Sequence, residues 1–227
     1  MFMDSLAAAK TAFLEDFERR LTDEMPTAGW KASGRKTKAL PNGEDSHFWF
    51  TKGPELLDAY AKWRDNNLHL QPWTTPQGQP GIELGFNIPV PGTNVMLRGY
   101  VDRVFQDTNN GALMIVDLKS GARSQTSDLQ LHFYRIGLRH ALGVDITYGA
   151  YYNARKGELD EIVELDQFPE ERVFRWVRNM IGVIDKNLLI PSVGMSCSWC
   201  GVKDFCPQWN DTMPDFDSPN DLFDNNK

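Results

Sequence analysis

The chain has 227 residues, of which 41% are hydrophobic and 24% are charged, and its formal net charge is −7. This composition is typical of a globular protein with one sizeable core, and it excludes a chain that is disordered throughout. No apolar run approaches the roughly 18 residues that span a bilayer, and the N-terminus MFMDSLAAAK lacks a basic leader, so we expect a cytoplasmic protein without a membrane partner.

The sequence pattern of residues 1–67 predicts a helical region. Apolar residues at helical spacing indicate one helix that ends near Met25 and a second that runs from about Lys52 to Asn66. The loop between them holds the densest basic cluster of the chain, which consists of Lys31, Arg35, Lys36 and Lys38. These side chains are either solvated or in contact with phosphate, and the pattern alone leaves both interpretations open.

Residues 68–190 predict an α/β core with a mixed sheet flanked by helices. Alternating apolar residues indicate four strands, at about Ile82–Val90, Val95–Phe105, Ala112–Lys119 and Ile146–Tyr152. Helical spacing indicates two further helices, at about Asp128–Leu142 and Pro169–Asn187. The order of strands, helix and strand therefore places most of the fold in this part of the chain.

The strand GALMIVDLKSG, residues 111–121, ends on two opposite charges, Asp117 and Lys119. The preceding segment QDTNNG offers a two-residue turn at positions 109 and 110 or at positions 110 and 111. The first turn sets Asp102 opposite position 117, and the second sets it opposite position 119. Because strand side chains alternate, either register brings Asp102, Asp117 and Lys119 to one face of the sheet.

Two buried carboxylates side by side are costly unless they share a cation. Lys119 neutralises only one of the two charges, whereas a hard divalent ion such as Mg²⁺ or Mn²⁺ prefers carboxylate, carbonyl and water oxygens. The alternative is a buried ion pair between Asp117 and Lys119, with Asp102 bonded to Arg98 or Arg103. The hairpin by itself leaves both interpretations open.

The segments GYVDRVFQDTNNGALMIVDLKSG and QLHFY together resemble the PD-(D/E)XK nucleases, most closely the RecB-like exonucleases that include CRISPR-associated and phage-encoded iron–sulphur enzymes. The resemblance covers about residues 82–207 and implies a restriction-endonuclease-like core. It also implies that Asp102, Asp117 and the Leu118 carbonyl bind a metal ion and that Lys119 positions or activates the attacking water. Glu83 is a weaker candidate for the same metal.

Gln130 and Tyr134 match the Gln-x-x-x-Tyr element of that family. Their spacing puts both on one helix face beside the cleft, and the alternative is a surface glutamine with a half-buried core tyrosine. The resemblance implies a metal-dependent DNA exonuclease that acts on ends or single strands, in recombination, repair or phage DNA metabolism. The alternative function is a catalytically inactive DNA-binding or assembly module that keeps the nuclease fold.

Residues 191–209 hold a cysteine element with the pattern Cys-x2-Cys-x5-Cys-Pro, formed by Cys197, Cys200 and Cys206. Thiolates at this spacing bind zinc or an iron–sulphur cluster, and three structural thiols are the alternative. The resembling iron–sulphur exonucleases have a fourth cysteine near the N-terminus, which completes a [4Fe–4S] cluster, and a metal-site histidine on an N-terminal helix. Neither is found here, so we expect either a missing N-terminal segment or a branch that has lost both features. An acidic tail, residues 210–227, follows.

Overall fold

The computed structural model describes residues 2–24, 32, 36–122, 124–186 and 188, with single positions at 194, 197, 200, 203 and 206. The chain divides into two compact units, of which one comprises residues 1–89 and 94–170 and the other comprises residues 90–93 and 171–227. The first unit contains the whole sheet and the charged residues singled out in the hairpin. It therefore holds the candidate site.

Four helices and seven strands form within the described residues. The helices are α1 (Phe2–Asp23), α2 (Ser46–Asn66), α3 (Leu129–Leu142) and α4 (Glu170–Asp185). The strands are β1 (Leu70–Pro72), β2 (Ile82–Pro89), β3 (Met96–Asp107), β4 (Leu113–Lys119), β5 (Tyr148–Asn153), β6 (Glu158–Leu159) and β7 (Val163–Glu164). None of the described helices is long and apolar enough to cross a membrane.

All seven strands belong to one mixed sheet, which confirms the α/β class. Its main order is β1-β3-β4-β5-β6, with β2 paired to β3 and β7 paired to β5. Every pairing is antiparallel except that of β4 with β5, which is parallel. Helix α3 connects these two parallel strands, as the crossover helix of a βαβ unit does. This connection sets α3 against the strand that carries Asp117.

The hairpin of β3 and β4 has the register that places Asp102 opposite Asp117, since four residue pairs of the ladder fix it. The two-residue turn that we predicted is wrong. Residues 108–111 form a longer loop, which is closed by a bond of 2.8 Å from the Asp107 amide to the Ala112 carbonyl. Gly111 supplies the positive φ of 75° that this loop requires. Because the loop remains centred between residues 109 and 110, the first of the two expected registers is confirmed.

Alternation along β4 divides its side chains between the two faces of the sheet. Val116 packs with Trp63 of α2 and with Phe105 and Tyr152 in a buried cluster. The next residue, Asp117, points to the opposite face, where it meets α3. Helix α2 thus covers a closed apolar core, and α3 covers the polar end of the same strand.

Helix α2 begins at Ser46, well before the start predicted near Lys52. Asp45 caps it, because its carboxylate accepts a hydrogen bond from the Phe48 amide at 2.9 Å. Gly53 and Pro54 follow inside the helix, and this dipeptide is a typical break signal in a sequence. The glycine is needed for packing, because a Cβ there would lie 2.1 Å from a phenylalanine ring of α1.

The second unit is described in α4 and at single positions beyond it. Within this unit, Arg178 donates to the Pro91 carbonyl at 3.3 Å and forms an ion pair with Glu171. The guanidinium of Arg172 lies 5.2 Å from the centre of the Trp176 ring. Arg172 and Arg178 of α4 therefore have partners inside their own unit.

Candidate active site

Asp117 lies near the end of β4 and is a deeply buried carboxylate, with 1% of its surface exposed. Its Oδ1 accepts a hydrogen bond from Tyr134 Oη at 3.2 Å, and its Oδ2 lies 2.6 Å from Lys119 Nζ. Oδ2 is buried, and its partner is the Lys119 ammonium. Burial raises the pKa of the Asp117 carboxyl, Lys119 opposes this, and the charge of Asp102 adds to it. The Lys119 ammonium thus faces the charges of two carboxylates, Asp117 and Asp102.

Asp102 reaches the same place from β3. Its Oδ2 accepts a hydrogen bond from the Leu118 amide at 2.7 Å, so a side chain takes the bond that a main-chain carbonyl makes in a regular ladder. Arg103 donates to the main-chain oxygen of Asp102 at 2.5 Å, and no ion pair joins the Asp102 carboxylate to Arg98 or Arg103 among the described residues. The carboxylate of Asp102 therefore remains available beside Asp117.

Helix α3 contributes Gln130 and Tyr134, which close a ring of polar contacts with Asp117 and Lys119. Lys119 Nζ donates to Gln130 Oε1 at 2.9 Å, and Gln130 Nε2 donates to Tyr134 Oη at 2.6 Å. Burial raises the pKa of Tyr134 to about 12, so its hydroxyl stays protonated at neutral pH and donates a hydrogen bond to Asp117. Each of the four side chains is thus held by two neighbours, which restricts its position.

Glu83 does not join this group. It has a φ of 50°, in the left-handed region that residues other than glycine rarely adopt. Its carboxylate lies 3.6 Å from Arg103 Nη1, and 64% of its side chain is exposed. Over the described part of the chain, no three His, Cys, Asp or Glu side chains lie close enough together to hold a metal ion. The metal role predicted for Glu83 therefore stays a prediction, without a contact that supports it.

The three cysteines are free thiols at single described positions. Cys200 is exposed, whereas Cys197 and Cys206 are half-buried. The Cys197 amide donates to the Gly194 carbonyl at 3.0 Å, and the Cys206 amide donates to the Lys203 carbonyl at 3.1 Å. Among the described positions, the thiols do not form a metal-binding group. A zinc or iron–sulphur centre therefore stays a prediction.

Arg155, which we did not single out from the sequence, anchors the segment that follows Lys119. Its Nε donates to the Ser120 carbonyl at 2.8 Å, and its Nη2 donates to Glu44 Oε2 at 2.9 Å. The Ala154 amide also donates to the Lys119 carbonyl at 2.9 Å. No local motif could have revealed Arg155, because its partners come from distant parts of the chain.

The chain is similar to known proteins in three comparisons. The family described as the PD-(D/E)XK nuclease superfamily matches residues 8–207. The Gene 69 protein of Mycobacterium phage D29 is 36% identical over 130 residues, which are 56% of this chain and 42% of that protein. The chain thus spans about two fifths of the length of this relative. A solved structure titled "Crystal structure of SSO0001" aligns with a TM-score of 0.40 and 13% identity, over 72% of this chain and 74% of that chain.

Proposed function

The chain belongs to the PD-(D/E)XK nuclease superfamily, and from this membership we propose that it is a metal-dependent nuclease that hydrolyses phosphodiester bonds in DNA. One observation supports the proposal most. The buried Asp117 carboxylate is paired with one ammonium, that of Lys119, while the charge of a second carboxylate, Asp102, acts on it as well. A shared cation stabilises such a pair.

The donor set at this place fits Mg²⁺ or Mn²⁺. Asp102, Asp117 and the Leu118 carbonyl offer only oxygen atoms, which hard divalent cations prefer, and Lys119 neutralises only one of the two carboxylate charges. These three residues would hold the ion. When bound, it supplies positive charge to a phosphoryl oxygen and lowers the pKa of a coordinated water.

The other side chains of the ring position charge for the reaction. Lys119 places an ammonium beside the carboxylates, where it stabilises negative charge that develops on the phosphate and holds the attacking water. Gln130 holds this ammonium at 2.9 Å. Tyr134 fixes the orientation of Asp117 with its hydroxyl proton. Because these groups are already in place, little reorganisation is required when charge develops.

We propose further that the substrate is a DNA end or a single strand and that the cleavage is exonucleolytic. The sequence resemblance to RecB-like exonucleases supports this choice. A role in recombination, repair or phage DNA metabolism rests on the same resemblance, and the similarity to a mycobacteriophage protein agrees with the last of these.

Nucleotide release from labelled DNA in Mg²⁺, and its loss in a chelator, tests the nuclease function. Asp117→Asn should lower the rate by about 100- to 1000-fold, because it removes a charge that binds the metal, while the fold and DNA binding persist. The matched control Asp166→Asn changes an exposed carboxylate and should keep the wild-type rate. Wild-type cleavage by Asp117→Asn would overturn the site assignment. DNA binding without any Mg²⁺-dependent release would favour the inactive DNA-binding module.

We also propose that Cys197, Cys200 and Cys206 bind a [4Fe–4S] cluster or, as the alternative, zinc. Their spacing supports this, and none of the three forms a disulfide. Metal analysis of wild-type protein and of Cys200→Ala, purified without oxygen, is the test. Iron or zinc should be present in the wild type and reduced in the variant. Metal contents near zero in both would mean that the thiols are structural.

A further inference from the structure

Asp117, Lys119, Gln130 and Tyr134 form a closed set of polar contacts, which we call the polar ring. A cavity of about 390 Å³ lies beside it, between α3, the sheet and the segment that leads into α3. We call it the aromatic pocket. Its walls include four aromatic rings and two polar side chains at exposed positions: Phe86, Phe133, Tyr134, Tyr151, Arg98 and Gln125. All of them belong to the first unit. The pocket is therefore a feature of the same compact body as the candidate site.

The aromatic pocket and the polar ring share two residues. Gln130 and Tyr134 line the pocket and also contact Lys119 and Asp117. Since the Tyr134 hydroxyl lies 3.2 Å from the Asp117 carboxylate, an occupant of the pocket is separated from the carboxylates by a single side chain. A group that is covalently attached to the reacting phosphate can thus reach the pocket.

The walls of the pocket are held in place from both sides. Tyr151 donates its hydroxyl proton to the Ser127 carbonyl at 2.9 Å, which fixes the segment before α3. Phe86 packs edge-on against Tyr134, with ring centres 6.4 Å apart. Phe133 differs from both, because it is half-buried and no other aromatic ring stacks on it among the described residues. Phe133 therefore contributes to the pocket wall without stacking on another described ring.

The charge at the rim matches a nucleic-acid strand. Arg98 is exposed and lines the pocket, and no carboxylate pairs with it in the described part of the chain. Such a guanidinium suits a phosphodiester oxygen, while flat aromatic walls suit a base, since each base has a π face that stacks on aromatic side chains. Gln125 adds an amide that can bond to the edge of a base.

We propose that the aromatic pocket holds an unpaired nucleobase of the DNA strand, next to the phosphodiester that lies at Asp102 and Asp117. The inference rests on the proposed nuclease function and deepens it. A base inside a duplex is covered by its neighbours and bonded to its partner, so it enters the pocket only after leaving the stack. The pocket thus selects single strands and frayed ends, and Phe133 supplies the stacking surface.

Binding measured in a chelator, without hydrolysis, tests this inference. The probes are a short deoxythymidine oligonucleotide and an abasic oligonucleotide of equal length, which carry the same phosphates but differ in their bases. We expect wild-type protein to bind the oligonucleotide with bases more tightly than the abasic one. In Phe133→Ala, the ratio of the two affinities should be about 10-fold smaller. Phe133→Tyr retains a ring and should keep the wild-type ratio. The matched control Phe48→Ala removes a half-buried ring outside the pocket and should keep it as well.

Two results would overturn the inference. One is an unchanged preference in Phe133→Ala, and the other is an equal loss in Phe133→Ala, Phe133→Tyr and Phe48→Ala, which would indicate general damage to the fold. Mg²⁺-dependent release is measured on the same wild-type preparation. If release occurs while Phe133→Ala keeps its preference, the pocket inference fails and the nuclease function stands. If release is absent while Phe133→Ala loses its preference, the nuclease function fails and the base site stands.

Discussion

The two faces of the sheet at β4 are built from different chemistry. On the α2 face, the Trp63 ring centre lies 5.9 Å from that of Phe105 and 5.0 Å from that of Tyr152, so the rings fill the space between helix and sheet. On the α3 face, Asp117 and Lys119 are held by polar contacts and adjoin the aromatic pocket. The first face is closed, whereas a cavity of about 390 Å³ adjoins the second.

This difference shows how one strand supplies side chains both to the core and to the candidate site. Successive residues of a strand point to opposite faces, so Val116 has apolar neighbours while Asp117 has polar ones. Burial of Asp117 costs stability, because desolvation disfavours the charged carboxylate. The apolar cluster on the α2 face offsets that cost. We therefore expect substitutions on the two faces to affect different measurements.

The largest effect on the closed face should come from Trp63→Ala. This side chain is buried in the aromatic cluster, and its removal leaves a cavity that should lower the free energy of unfolding by about 3–5 kcal/mol. Denaturant unfolding measures this loss. The cleavage rate per folded molecule should stay close to wild type. Trp176→Ala removes an exposed ring and should cost less than about 1 kcal/mol. Equal losses in the two variants would contradict the comparison.

The same substitution, Tyr→Phe, should have different effects on the two faces, and both effects should be smaller than that of Trp63→Ala. Tyr134→Phe removes the proton donated to Asp117, and we expect the cleavage rate to fall by about 10-fold. Tyr152→Phe removes a buried hydroxyl that has no hydrogen-bond partner among the described residues. It should leave the rate unchanged and alter the free energy of unfolding by less than about 1 kcal/mol, in the stabilising direction. Parallel rate and unfolding measurements on both variants test this, and a slow Tyr152→Phe enzyme would break the comparison.

The third effect concerns the pH dependence of stability. It arises from His132, a buried residue of α3. Its ring stacks on Phe168 at 4.1 Å, and burial lowers the pKa of His132 below its usual value of 6.5. The unfolded chain therefore takes up this proton first as the pH falls, so stability should decrease below about pH 6.5, with a slope of at most about 1.4 kcal/mol per pH unit.

Denaturant unfolding of His132→Gln between pH 5 and pH 7.5 checks the sign of this effect. The variant should have a flatter pH dependence than the wild type, whereas His47→Gln, which changes an exposed histidine, should keep the wild-type slope. A steeper slope in His132→Gln would show that the buried ring is charged in the folded protein.

The hairpin explains why much of the site could be predicted from the sequence. Its register depends on where the loop is centred, and the centre between residues 109 and 110 fixes Asp102 opposite Asp117 even though the loop is longer than expected. Helical spacing likewise predicts that Gln130 and Tyr134 share one face. Both inferences use periodicities that every strand or helix must obey.

Contacts that depend on irregular backbone or on distant segments could not be predicted in this way. Glu83 lies on the predicted strand, but its φ of 50° interrupts the alternation that suggested a role at the metal. The start of α2 depends on a cap at Asp45, and the Gly53-Pro54 pair obscures it in the sequence. The aromatic pocket forms only when β2, β3 and α3 come together in three dimensions.

Arg155 links the segment before α2 to the segment that follows β4. One guanidinium binds the carbonyl that follows Lys119 and a carboxylate that precedes α2, so recombination between these segments in evolution, or a truncation made at the bench, would separate both from their anchor. A shuffled chain that carries Glu44 and Arg155 together would keep both bonds, whereas the pairing of β4 with β5 and the bond from the Ala154 amide to the Lys119 carbonyl do not depend on Glu44.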